Sequence, residues 1–386
     1  MRRLESVDFL RGVVMVLMAL DHVRDFFGAA AVNPTNLAAT TAPLFMTRWV
    51  THFCAPVFFF LTGTGAALSL RTRSVAEVSR FLLLRGVWLL VLELLVVRWI
   101  MQFNVDYHVT MLTVFWALGW SMIAMSALVL LPTWMVTTIG VTLIAAHNLF
   151  DPLRPSSFGS LAPLWTVLHS PGVIVDHSQH VVFVAYPLLP WVGVAAAGYG
   201  LGPVYGWSSE RRQAFLWRTG AALSLLFLAL RMVNTYGDPV RWTQQRSMML
   251  TALSFINTTK YPPSLLFLLM TLGPALCILA AADRRIPTLL RGAVVYGKVP
   301  LFYYLLHLLA IHSLALIVCY WRYGETHWVT ESARLDQFPF AQPPGWPSGL
   351  PVIYVIWICI AASLYPACRW FAGVKQQRSD AWLRFF

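Results

Sequence analysis

Long apolar segments recur along the whole chain and are separated by shorter polar ones. A helix needs about 20 apolar residues to cross a bilayer core, where backbone groups find no partner outside a helix or a closed barrel. The strict alternation of a barrel strand is missing. We therefore predict an all-α, polytopic membrane helical bundle of about ten transmembrane helices, forming a single domain over residues 1–386. The predicted spans are residues 9–27, 52–70, 81–103, 111–131, 134–150, 181–202, 215–234, 263–282, 293–320 and 351–371.

Basic residues lie in short clusters between these segments. Arg2 and Arg3 precede the first span, and further clusters follow the second, sixth, eighth and tenth. Because loops rich in Lys and Arg face the cytoplasm, this pattern predicts that both termini are cytoplasmic. The longer loops, at residues 151–180, 236–261 and 322–349, then face outward.

The composition fits a multi-pass membrane protein, with 58% hydrophobic and 11% charged residues and a mean hydropathy of +0.65. The cytoplasmic clusters explain the net charge of +12, so the expected partner is the lipid bilayer and not nucleic acid. Asp176, His177 and His180 have metal-like spacing, but no further convincing ligand is nearby, and no metal site is predicted. No pattern in the sequence sets an oligomeric state.

The first span carries a continuous polar stripe. At 100° per residue, one helix face presents Asp8, Arg11, Met15, Met18, His22 and Asp25. Ionisable groups inside a span are costly and normally mark a functional site that faces the bundle interior or a wet cavity. The structural alternative is that Asp8 pairs with Arg11 and His22 with Asp25, and that both pairs only fix helix packing.

His22 is the candidate catalytic residue of this stripe. An imidazole titrates near working pH, and a carboxylate one turn away can orient it as a general base. Asp25, at i+3, has better helical geometry for this role than the direct neighbour Asp21. We therefore predict His22 and Asp25 as the catalytic residues.

Several segments together resemble a known family. They are the stretch from Ser6-Val-Asp-Phe-Leu-Arg-Gly to Leu-Asp-His22, Tyr186-Pro-Leu-Leu-Pro-Trp-Val-Gly, Lys260-Tyr-Pro-Pro-Ser-Leu, and Val299-Pro-Leu-Phe-Tyr-Tyr-Leu-Leu-His307. They resemble the transmembrane acyltransferase superfamily, in its bacterial heparan-α-glucosaminide N-acetyltransferase-like branch. The resemblance implies a bacterial cytoplasmic (inner) membrane enzyme with His22 as catalytic residue. It would move an acyl group, expected to be acetyl, from cytoplasmic acyl-CoA to an extracytoplasmic acceptor such as a carbohydrate.

Other polar groups are candidates for binding the two substrates. For the acyl-CoA phosphates we predict Arg11, Arg80 and Arg85, whose guanidinium groups suit phosphate oxygens. For Arg80 and Arg85 the alternative is simple snorkelling to lipid headgroups. The predicted acceptor-binding residues are Arg24, Lys260, Tyr304, His307 and His312. For the two histidines the alternatives are oxyanion stabilisation and simple helix packing, and for Lys260 the alternative is packing or lipid contact.

Two other classes of function use the same stripe. A transporter or flippase would use it as a proton or substrate pathway, and a catalytically inactive scaffold would use it only for packing. The enzyme is favoured because the charged groups gather on one helix and no pair of broken-helix repeats is evident. No hydrolase elbow, Walker loop or zinc motif occurs.

Overall fold

A computed structural model describes residues 4–29, 32–177, 180–331, 334–378 and 380–386. The chain is predominantly helical, which confirms the predicted all-α membrane bundle. Its α-helices are α1 Glu5–Phe27, α2 Ala42–Thr51, α3 Cys54–Ser69, α4 Val75–Val91, α5 Arg98–Gln102, α6 Val114–Leu128, α7 Thr133–Ala146, α8 Ala162–Leu168, α9 Leu188–Tyr199, α10 Ser209–Val233, α11 Met248–Ile256, α12 Leu265–Arg284, α13 Ala293–Lys298, α14 Pro300–Tyr323, α15 His327–Thr330 and α16 Leu350–Gln377. A π-helical turn, Leu92–Val97, joins α4 to α5. The strands are β1 Val109–Leu112, β2 Gly172–His177 and β3 His180–Val184.

Six helical stretches in the described part of the chain are long and apolar enough to cross a membrane. They are Ala42–Ser69, Thr133–Phe150, Ser209–Val233, Leu265–Arg284, Pro300–Tyr323 and Leu350–Gln377. Helix α1 and the helical stretch 75–102 have sufficient length but carry more charged side chains than a lipid-facing span tolerates. The count of ten spans stays a prediction. So does the cytoplasmic location of the termini, since Arg2 and Arg3 lie outside the described residues.

Three predicted spans differ from the helices observed. The span predicted at residues 111–131 begins in strand β1, and its helix α6 has only 15 residues. The span predicted at residues 181–202 begins as strand β3, and its helix α9 has only 12 residues, about 18 Å of length against a core of about 30 Å. The span predicted at residues 293–320 is divided at Val299, whose backbone is not helical. Pro300 explains this break, because proline lacks an N–H and disfavours helical conformation in the residue before it.

The chain forms two compact units. The first, here called unit 1, comprises Met1–Cys54, Leu94–Thr110 and Ile286–Phe386. Within it, α1 packs against α13, α14 and α16. Two tryptophans anchor α1 through its backbone, because Nε1 of Trp357 donates to the Val16 carbonyl at 2.7 Å and Nε1 of Trp346 to the Phe26 carbonyl at 2.8 Å. The middle and the C-terminal end of α1 are thereby held against apolar neighbours.

The second, unit 2, comprises Ala55–Glu93 and Met111–Arg285. Its helices pack in pairs, α10 with α12, α4 with α6 and α7 with α9. A capping box of Ser74 and Glu77 begins α4. Strands β2 and β3 form an antiparallel hairpin, and the sheet order is β1-β3-β2. The expectation of one domain over the whole chain stays a prediction.

Candidate functional site

The polar stripe of α1 faces protein and not lipid. Asp8 and Met15 are buried, and Met18 is 8% exposed. Arg11 donates to the Gly297 carbonyl of α13 at 3.1 Å, and His22 contacts α14. The stripe therefore lies along the surface formed by α13 and α14, inside unit 1.

A backbone-to-backbone crossing sets the position of α1 against α13. A Cβ atom added at Gly12 would lie 1.7 Å from the Ala293 carbonyl oxygen, and one added at Gly297 would lie 1.7 Å from the Asp8 carbonyl oxygen. Only glycine hydrogens fit at this separation. Glycine inside a helix costs about 1 kcal/mol in propensity, but small residues let two helices approach closely.

His22 forms a hydrogen bond to His307 of α14, with 2.8 Å between Nδ1 of His22 and Nε2 of His307. On the other side of the His307 ring, Nδ1 lies 2.8 Å from the Tyr303 carbonyl oxygen. A carbonyl only accepts, so neutral His307 carries its proton on Nδ1 and accepts at Nε2. His22 then donates from Nδ1, which leaves the lone pair of neutral His22 on Nε2. His307 is fully buried, whereas His22 is only partly buried.

Two tyrosines of α14 enclose this pair of histidines. The ring of Tyr304 packs edge-on against His22 and His307, with centroid distances of 5.9 and 5.4 Å. Tyr303 stacks on His307 at 5.0 Å, and within the described residues its buried hydroxyl has no hydrogen-bond partner. The pair therefore sits between aromatic faces with little room to rotate.

Carboxylates near His22 bind arginines. Asp25 lies 2.6 Å from Arg24, whose Nη2 also contacts Asp21 at 2.9 Å. Asp21 further contacts Arg48 and accepts from the Thr51 hydroxyl at 3.0 Å, which joins α1 to α2. The expected pairing of Asp25 with His22 is thus not what the structure has, because an adjacent guanidinium attracts a carboxylate more strongly than a neutral imidazole does.

Arg24 and Arg11 differ in the hydrogen bonds that their guanidinium groups form. The Arg24 side chain is 9% exposed, and its Nη1 has no hydrogen-bond partner in the part of the chain that the structure describes. Arg11 donates from Nη1 to both Asp8 and Gly297, at 3.1 Å each. The alternative pairing of Asp8 with Arg11 is therefore present within α1, and the bond from Arg11 to Gly297 joins α1 to α13.

His312 has a different environment from His307. Its Nδ1 lies 2.6 Å from the Ile100 carbonyl oxygen and its Nε2 lies 2.7 Å from the Val329 carbonyl oxygen. The ring is fully buried and stacks on Phe103 at a centroid distance of 3.8 Å. Backbone carbonyls lie beside both ring nitrogens, which favours the packing alternative, and the acceptor-binding role of His312 stays a prediction. The His312 side chain joins α5, α14 and α15.

The remaining predicted residues belong to unit 2. Arg80 is exposed, and Arg85 is half-buried with its guanidinium 5.8 Å from the Phe81 ring centre. Lys260 is 8% exposed, and its Nζ lies 5.1 Å from the ring centre of Tyr261. Their binding roles stay predictions.

Sequence reasoning missed two features of this site. It named His307 as an acceptor-binding residue and not as the direct partner of His22, because 285 residues separate them. It also missed the link from Asp21 to Arg48 and Thr51. Helical spacing gives the face on which a residue lies, but it does not give the residue that the face meets.

Comparison with known protein families gives a match over more than half of the chain. Residues 3–234, which are 232 of the 386 residues, match the family described as heparan-alpha-glucosaminide N-acetyltransferase, catalytic. No curated protein matches the chain. The matched segment includes all of α1 and therefore His22, and it confirms the family resemblance seen in the sequence. With its apolar helices and its match over more than half of its length, the chain belongs to this family of membrane acetyltransferases.

Proposed function

We propose that this chain transfers an acetyl group from cytoplasmic acetyl-CoA to an acceptor on the opposite side of a bacterial cytoplasmic membrane, with a glycan as the expected acceptor. The family supports acetyl transfer. The observation that carries the assignment of the site is the His22–His307 hydrogen bond, with His307 fixed in turn by the Tyr303 carbonyl. This arrangement orients one imidazole and directs its lone pair to a single nitrogen, as a general base requires.

In the direct route, Nε2 of His22 takes the proton of the acceptor hydroxyl or amine. The acceptor oxygen or nitrogen forms a bond to the thioester carbonyl carbon, and the carbon–sulfur bond breaks. The proton held by His22 then passes to the departing CoA thiolate. Atoms and charge balance without any further reactant.

A second route uses the same nitrogen as a nucleophile. Nε2 of His22 attacks the thioester carbonyl carbon and the carbon–sulfur bond breaks, which gives an acyl-imidazolium and CoA thiolate. The acetyl group then passes to the acceptor hydroxyl or amine, whose proton goes to the thiolate. Both routes need the proton of neutral His22 on Nδ1, and the hydrogen bond to His307 favours that tautomer. Trapping an acetylated His22 with labelled acetyl-CoA in the absence of acceptor separates the two routes.

Arginines are the candidate groups for acetyl-CoA. The phosphates of acetyl-CoA carry several negative charges, and one guanidinium group can donate two parallel hydrogen bonds to the oxygens of a phosphate. Arg80 and Arg85 are the proposed phosphate ligands, since Arg11 already donates to Asp8 and Gly297. Nη1 of Arg24 is buried and has no hydrogen-bond partner among the described residues. It can therefore donate to a carbonyl or hydroxyl oxygen of a substrate. Asp25 holds Arg24, so its proposed contribution is to position that group.

The test is turnover of radiolabelled acetyl-CoA by the purified full chain in detergent, measured as hydrolysis and as transfer to glucosamine. Loss of a general base typically costs about 10²- to 10⁴-fold in rate, and we expect that loss for His22→Ala. The control is His177→Ala, which removes an exposed histidine of β2. A folded His22→Ala protein with wild-type turnover contradicts the proposal. If the protein moves a glycan into proteoliposomes at the same rate with and without acetyl-CoA, this supports a transporter instead.

A further inference from the structure

A second cluster of titratable side chains lies in unit 2, apart from the proposed chemistry. His147, Asp151 and His169 each direct one potential ligand atom into the same small volume, and these atoms all lie within 4.8 Å of one another. His147 and Asp151 lie at the two ends of a 3-10 turn that follows α7, and His169 follows α8. The fold thus brings together ligands from two separate segments.

Both imidazoles of this cluster are buried without hydrogen bonds. His147 is 1% exposed and His169 is 2% exposed. All four of their ring nitrogens lack a hydrogen-bond partner among the described residues. The Pro263 carbonyl approaches the His147 ring, but it does not meet hydrogen-bond geometry. Buried polar atoms almost always have partners, so two neighbouring histidines with none call for a missing one.

The spacing of His169 and Asp151 indicates what kind of partner these imidazoles bind. Nε2 of His169 lies 3.2 Å from Oδ1 of Asp151, yet the two atoms do not form a hydrogen bond. Ligand atoms about 2.0–2.1 Å from a tetrahedral ion are separated from one another by about 3.3 Å. The two atoms thus have the spacing of neighbouring ligands around one ion.

The surroundings suit such an ion. Nδ2 of Asn148 donates to Oδ2 of Asp151 at 2.8 Å. This bond orients the carboxylate so that the other oxygen of Asp151, Oδ1, faces His169. Oδ1 of Asn148 is itself fixed, since it accepts from the Leu265 backbone at 2.9 Å. The rings of Phe150 and Trp165 pack on His169. Metal sites commonly have a ligating carboxylate that is itself hydrogen-bonded and an apolar wall around the ligands.

We propose that His147, Asp151 and His169 bind a divalent transition-metal ion such as Zn²⁺. Two imidazoles and one carboxylate form a ligand set that Zn²⁺ prefers, and a fourth position is left for water or another oxygen. The ion ties the end of α7 to the segment after α8. This site differs from the one suggested by the spacing of Asp176, His177 and His180. Those three residues are exposed near the tip of the β2–β3 hairpin.

The test is zinc retention by the full chain. The purified protein is stripped with a chelator in detergent, incubated with ZnCl₂, desalted and analysed by elemental mass spectrometry. We expect one zinc per chain for wild type and for His177→Ala, and loss of zinc for His147→Ala and for His169→Ala. Wild-type protein that retains no zinc overturns the proposal. Zinc loss confined to His177→Ala also overturns it and assigns the metal to the hairpin.

Cobalt keeps the proposal testable if the alanine variants do not fold. Co²⁺ added to stripped wild-type protein should give the visible absorption bands of a tetrahedral site with nitrogen and oxygen ligands, and Zn²⁺ should abolish them. In the same samples, Zn²⁺ should raise the melting temperature of wild type, because a ligand bound only to the folded state stabilises it. Absence of both effects in folded wild-type protein overturns the site.

Discussion

The hydrogen bond between His22 and His307 controls which nitrogen of His22 is basic, so replacing His307 tests the site directly. His307→Phe keeps an aromatic ring on Tyr303 but removes the acceptor that Nδ1 of His22 meets at 2.8 Å. His307→Gln is the matched variant, because its side-chain carbonyl can accept at the place where Nε2 of the imidazole lay. The two variants differ mainly in whether His22 keeps its acceptor.

The size of the effect follows from burial. His307 is fully buried, and a donor left unsatisfied in such a place costs about 1–3 kcal/mol. If this energy is lost from the orientation of His22 in the transition state, kcat/KM falls about 5- to 160-fold for His307→Phe. For His307→Gln we expect a loss under about tenfold, since one hydrogen bond of ordinary net strength is retained in altered geometry.

Initial rates of labelled acetyl-CoA turnover in detergent measure both variants, after gel filtration has shown that each is folded. The loss should fall mainly on kcat with little change in KM, because His307 positions His22 and is not proposed to bind the substrate. Wild-type turnover in a folded His307→Phe protein refutes the reasoning. Equal losses in the phenylalanine and glutamine variants also refute it, since the acceptor would then be irrelevant.

Three further predictions concern the supports of this site. Gly297→Ala places a methyl group 1.7 Å from the Asp8 carbonyl oxygen, so we expect at least about 1–3 kcal/mol of destabilisation in thermal unfolding. The control, Gly373→Ala, places its methyl group in open space and should be neutral. Equal melting temperatures for the two variants would contradict the close crossing of α1 and α13. His312→Phe should lower the melting temperature but leave the turnover of the folded fraction near wild type. A selective loss of turnover would instead support the predicted role of His312 in binding the acceptor. Asp21→Asn weakens the hold on two arginines, and we expect a loss of about 1–3 kcal/mol in thermal unfolding, whereas an unchanged melting temperature would show that the network is not stabilising.

The sequence predicted the features that one helix determines by itself. Helical periodicity identified the stripe of α1 and the side-by-side placement of Asp8 and Arg11, which the structure confirms. It could not choose between partners of similar reach. Asp25 lies one turn from His22, but the neighbouring Arg24 carries a full positive charge and takes the carboxylate. Spacing alone gives no weight to that competition.

Contacts between distant segments were beyond reach for a different reason. His312 was predicted from its presence in a polar span, yet its partners are backbone carbonyls of Ile100 and Val329, 212 and 17 residues away. Every residue has a backbone carbonyl, so the sequence does not indicate which carbonyl a side chain will contact. The break at Val299 had a visible signal, since Pro300 follows it, but an apolar run on both sides concealed it.

The family match and the partner of His22 come from different parts of the chain. The matched segment contains α1 and ends at residue 234, 73 residues before His307. Unit 1 is assembled from the first 54 residues, residues 94–110 and the residues beyond 285, so α14 packs on a helix that lies far from it in the sequence. The matched helix therefore contains His22, the proposed reactive imidazole, whereas α14 supplies the acceptor that fixes the tautomer of His22. A related chain that keeps the α1 pattern but has no hydrogen-bond acceptor opposite His22 would share the family and lack this control. The residue facing His22, and not the α1 motif alone, is therefore what should be inspected before activity is inferred for a relative.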